Sequence, residues 1–72
     1  MKNKIALFLE GNGFERIGED SYSNEHCNVL IEDYGYAVAN NRGDTMYSDS
    51  FNIYWLIGVL TYYGYMNKNY KK

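Results

Sequence analysis

The chain has no proline, one cysteine and one histidine in 72 residues. With Cys27 alone, no disulfide can form within it. A single thiol and no secretory leader fit a reducing, cytoplasmic setting. His26 and Cys27 are the only soft metal ligands, too few for a structural metal site. As neighbours on an extended chain they point to opposite faces, so they do not make a nucleophile–base pair. Cys27 is expected to pack as a small hydrophobe. No phosphate loop, metal-ligand spacing or catalytic triad occurs. Glu19-Asp20 and Glu32-Asp33 are adjacent carboxylates at strand ends, whereas acid–base chemistry needs groups converging in a cleft. These absences point away from an enzyme, a metal and a cofactor. A membrane span is not expected either. The uncharged stretch from Phe51 to Met66 falls short of the roughly 20 apolar residues required, and it contains Asn52, two glycines and several tyrosines.

Positive charge is scarce where the acids gather. Residues 10–33 hold seven acids (Glu10, Glu15, Glu19, Asp20, Glu25, Glu32, Asp33) against Arg16 alone, which is −6 of charge in a chain whose net is −2. The lysines lie at the ends, at 2, 4, 68, 71 and 72. Duplex binding needs clustered cations to neutralise phosphates, so no duplex nucleic acid is expected as partner. Glu15, Glu19, Asp20 and Glu25 form a candidate acidic surface for a basic protein partner.

What remains is an ordinary hydrophobic share, 46 %, with 9 tyrosines. One small domain over residues 1–72 is expected. Residues 3–10 read as a helix with Ile5, Phe8 and Leu9 on one face, closed by Gly11-Asn12-Gly13. Residues 14–17 read as a short strand, with 21–23 extending or pairing back. Residues 27–32 are the clearest strand, placing Cys27, Val29 and Ile31 together. A turn at Asp33-Tyr34-Gly35, with Gly35 free to take positive φ, leads to a return strand over 36–40. Arg42-Gly43-Asp44 has the letters of an integrin ligand but sits in ordinary turn chemistry. Residues 45–47 complete the meander. Ser48, Asp49 and Ser50 offer caps for a final helix over about 51–63, with Gly64 at its end and a polar, frayed tail over 67–72. The fold class expected is α+β: a two-layer sandwich of a three- or four-stranded antiparallel meander, with both terminal helices on one face.

The final helix carries the strongest functional signal. At 100° per residue, Ile53, Leu56, Ile57, Leu60 and Tyr63 fall on the side facing the sheet. Tyr54, Trp55, Gly58, Thr61, Tyr62 and Tyr65 fall on the other. A surface helix normally shows water a polar face, and this one has no charge. Tyrosine and tryptophan are favoured interface anchors. Gly58 costs helix stability unless another backbone approaches it. Tyr54, Trp55, Gly58, Tyr62 and Tyr65 are therefore the expected binding interface.

The segment Leu9-Glu-Gly-Asn-Gly-Phe14, Tyr22, and Asn52-Ile-Tyr-Trp-Leu-Ile57 resemble small accessory proteins of bacteriophages and other mobile elements. The likeness lies in size, AT-rich residue usage and layout. It implies a protein that binds a host protein, such as a nuclease of bacterial defence. The function expected is a non-catalytic protein-binding module acting by stoichiometric association. Its partner is another protein, or a second copy, on the C-terminal helix. The alternatives are a single-stranded nucleic-acid binder stacking bases on tyrosine and a structural homodimer.

Overall fold

The computed structural model describes residues 2–66, with side chains from Asn3 onward. Helix α1 (Lys2–Gly11) leads into strands β1 (Glu15–Arg16), β2 (Ser21–Ser23), β3 (Cys27–Ile31), β4 (Tyr36–Asn40) and β5 (Thr45–Ser48). Helix α2 (Ile53–Tyr62) follows. The strands form one antiparallel sheet in chain order. This is the expected α+β sandwich with one strand more than the meander foreseen. Ser21–Ser23 is the addition, pairing β1 on one side and β3 on the other. The tail over 67–72, expected to fray, lies outside the described residues. Among those residues no helix is long and apolar enough to cross a membrane.

Alternation builds the sheet. In β3, Cys27, Val29 and Ile31 are buried while Asn28 and Leu30 are exposed. Register carries that face across the sheet: Tyr22 pairs with Val29, Val29 with Val38, and Val38 with Met46. Ile5 and Leu9 of α1, and Leu56 and Leu60 of α2, complete one core with this row. Among the described residues no helix lies over the opposite face. It shows Ser21, Leu30, Ala37 and Tyr47 in one cross-strand line.

Both helices end in the same way. Gly13 and Gly64 have φ of 90 and 70, in the left-handed region glycine favours. After α1, Phe14 N–H donates to the Leu9 carbonyl at 3.0 Å. After α2, Tyr65 N–H donates to the Leu60 carbonyl at 2.8 Å, and Gly64 N–H to Thr61 at 3.2 Å. Each closure folds an aromatic ring back against the core that its buried leucine enters.

Two local expectations are corrected. The cap of α2 is Asn52, whose side chain accepts from Tyr54 N–H and Trp55 N–H. Ser48 and Ser50 hydrogen-bond within the preceding loop. Gly35 does not take positive φ. It is required because a Cβ there would lie 1.9 Å from the Ser48 carbonyl oxygen and 2.9 Å from Ser50 N. The turn between β3 and β4 thus touches the backbone of the β5–α2 connection.

Gly35→Ala should therefore cost about 3 kcal/mol or more, since no flexible side chain is there to yield. Urea unfolding followed by circular dichroism checks this; a cost below about 1 kcal/mol would contradict the close approach. Burial pushes the Cys27 thiol up from 9.0 to about 12. A raised folded-state pKa gives stability that is whole below pH 9 and lost as pH climbs towards 12. Cys27→Ala should lose less stability than the native chain between those pH values, as read by unfolding at stepped alkaline pH.

Candidate interaction surface

Helix α2 is held on the sheet by hydrogen bonds at its two ends. The buried Tyr36 hydroxyl donates to the Asn52 carbonyl at 2.6 Å. Burial pushes this phenol's pKa up. At the other end Asn24 Nδ2 donates to the Tyr65 carbonyl at 2.6 Å, while Asn24 Oδ1 accepts from His26 and Cys27 N–H. Asn40 Nδ2 donates to the Tyr65 hydroxyl at 3.1 Å. These contacts fix which face of α2 looks outward.

That face is aromatic. Leu56 and Leu60 are fully buried, and Ile53 and Ile57 are half-buried beside them. Opposite them, Tyr54 and Tyr62 are each 81 % exposed. Gly58 lies between them, one turn from either, and a Cβ on it would meet nothing within 4 Å. The helix carries no acidic or basic residue. Tyr54, Gly58 and Tyr62 are thus placed together as expected.

Trp55 and Tyr65 are placed differently. Trp55 lies on the flank, 39 % exposed, with its ring 5.7 Å from that of Tyr36. Tyr65 follows the glycine closure, so the helical projection no longer applies to it. It packs against the core and stacks on Tyr63 at 5.5 Å. Tyr63, projected towards the sheet, is half exposed and holds Tyr62 edge-on at 4.9 Å.

The four acids form two pairs at opposite ends of the β1–β2 hairpin. Glu15 and Glu25 line a groove with His26, whose Nε2 is 3.3 Å from the Glu25 carboxylate. Glu19 and Asp20 border another, beside α1. There the Arg16 guanidinium donates to the Gly18 and Glu19 carbonyls, both at 3.0 Å. Cys27 is buried under the sheet, and His26 lies in the turn before it, half-buried. Arg42 and Asp44 donate their backbone N–H groups to Asn40 Oδ1 in the β4–β5 turn.

Sequence reading missed a further group. A groove of about 520 Å³ at the start of α2 is lined by Glu32, Tyr34, Tyr47, Asp49 and Trp55, among others. Its walls come from two stretches of the chain, 32–34 and 47–55, so no local pattern announces it. No protein-family model, curated protein or solved structure matches this chain.

Because nothing among the described residues meets a Cβ at Gly58, Gly58→Ala should stabilise the folded state by about 0.5–1 kcal/mol. Thermal unfolding at low protein concentration is the check. A loss of stability would mean that the position is tighter than open space.

Proposed function

We propose that this chain is a non-catalytic protein-binding module acting by stoichiometric association through the outer face of α2. The observation that carries this reading is the pair Tyr54 and Tyr62, exposed on either side of Gly58 on a helix without charge. Large aromatic side chains left in water at helical spacing give up apolar surface on association, and their hydroxyls can still bond at an interface rim. The glycine between them lets a facing helix or strand approach closely. Two further observations support a binding role over a catalytic one. The Cys27 thiol is buried and pushed to about 12, which leaves it protonated near neutrality. His26 engages Glu25 and not the thiol.

The occupant of the face is a host protein or a second copy of the chain. The finer reading, a mobile-element protein that restrains a bacterial defence protein, rests on the resemblance in size, composition and layout. A base-stacking role for the same tyrosines is less favoured. Tyr62, Tyr63 and Tyr65 already pack on one another, and α2 offers no cation to a phosphate.

The test has two arms. Light scattering from micromolar to near-millimolar concentration distinguishes a second copy from another protein. If the chain dimerises through this face, Gly58→Leu should return it to monomer. If it stays monomeric, capture from bacterial lysate with and without nuclease should retain a protein. Tyr54→Ala/Tyr62→Ala should weaken that capture at least tenfold. Capture that vanishes with nuclease would favour the nucleic-acid reading. A monomer that retains nothing would overturn the proposal.

A further inference from the structure

We propose that the groove at the start of α2 receives a cationic side chain, arginine or lysine, from a basic segment of a partner protein. The inference rests on the reading of the chain as a protein-binding module for the nature of the occupant. The groove itself rests on its own geometry.

The groove exists because the backbone of the β5–α2 connection lies directly against Gly35, where no side chain intervenes. Glu32 and Tyr34 enter from the β3–β4 turn, Tyr47 from β5, Asp49 from the connection and Trp55 from α2. Three aromatic side chains therefore border one space. Tyr34 is 65 % and Tyr47 73 % exposed, far from the usual state of rings that serve a core. The Trp55 ring is braced from behind by the buried Tyr36. The Glu32 carboxylate lies close enough to the Tyr34 phenol to push that phenol's pKa up.

Charge decides what such a space accepts. Glu32 and Asp49 bring two carboxylates, and among the described residues no lysine, arginine or histidine lines the groove. The start of a helix favours anions, but only with about half a positive charge. Here Asn52 Oδ1 already takes the N–H groups of Tyr54 and Trp55, at 2.9 and 3.3 Å. An anion would face two negative charges with those donors occupied. A cation would meet both carboxylates and the negative faces of aromatic rings, the combination that holds ammonium and guanidinium groups. Arginine suits it best, since its planar fork can stack on a ring while bonding a carboxylate. The volume accommodates a side chain and not a folded element.

Trp55 is the chain's only tryptophan, so its fluorescence reports on the groove directly. Acetyl-arginine-methylamide should change that emission saturably, with the effect weakened by added salt. The citrulline analogue, equal in shape but uncharged, should leave it unchanged. Glu32→Gln/Asp49→Asn should weaken the arginine response at least tenfold while circular dichroism remains native. Tyr54→Ala/Tyr62→Ala should not alter it, so this proposal and the α2-face reading fail separately. An equal response to citrulline, or one indifferent to the two carboxylates, would overturn the proposal. So would binding that appears only in Lys68→Gln/Lys71→Gln/Lys72→Gln, which would assign the groove to the chain's own C-terminus.

Discussion

The clamping of α2 by its two ends is the constraint on which the rest depends. A ten-residue helix has little stability alone, because nucleation costs more than so few internal hydrogen bonds return. It forms here because Asn52 caps it, Gly64 closes it, and the sheet grips both ends through Tyr36 and Asn24. Leu56 and Leu60 then lie over the row Tyr22–Val29–Val38–Met46. Rotating the helix would break bonds at both ends and expose these leucines. The outward direction of Tyr54 and Tyr62 is therefore set by contacts they do not themselves make.

Asn24 shows how much one side chain can join. Its oxygen orders the turn into β3, and its nitrogen holds the chain after α2, 41 residues away. Cys27, whose N–H it accepts, is the first residue of β3, the middle strand of the sheet. The start of the central strand and the end of the last helix thus share one polar group. In a chain this small such a link matters, because the core alone buries too little surface to spare any.

The fold was legible where its signals are local. Alternation in residues 27–31, the i, i+4 pair Ile5 and Leu9, and the glycines after each helix all lie within one element and its closure. Hidden features belong to contacts between elements. Ser21–Ser23 left two readings open, extending the chain or pairing back, and it pairs because β1 and β3 lie on either side. Gly35 reads as turn chemistry until the backbone of residues 48–50 is seen against it. The candidate surface divides in the same way. Tyr54, Gly58 and Tyr62 followed from helical spacing, but Tyr65 lies past the closure, where the spacing ceases to hold. The acids were counted together by sequence proximity, and a hairpin separates them.

Composition treats nine tyrosines as one bias, but position gives them different work. Tyr22 and Tyr36 are buried in the core, and Tyr36 spends its hydroxyl on the Asn52 carbonyl. Tyr63 and Tyr65 brace the end of α2. Tyr34, Tyr47, Tyr54 and Tyr62 face outward. Trp55 stands between these groups, braced by Tyr36 on one side and open to the acidic groove on the other. It lies three residues before Gly58, so groove and aromatic face are about one helical turn apart, roughly 5 Å along the axis. A segment with an apolar surface beside a cation would cover both. One with only apolar surface would leave Glu32 and Asp49 partly desolvated and unpaired, an arrangement that disfavours it. On the proposed reading, the acids at the helix start would act as a filter on what the tyrosines can hold.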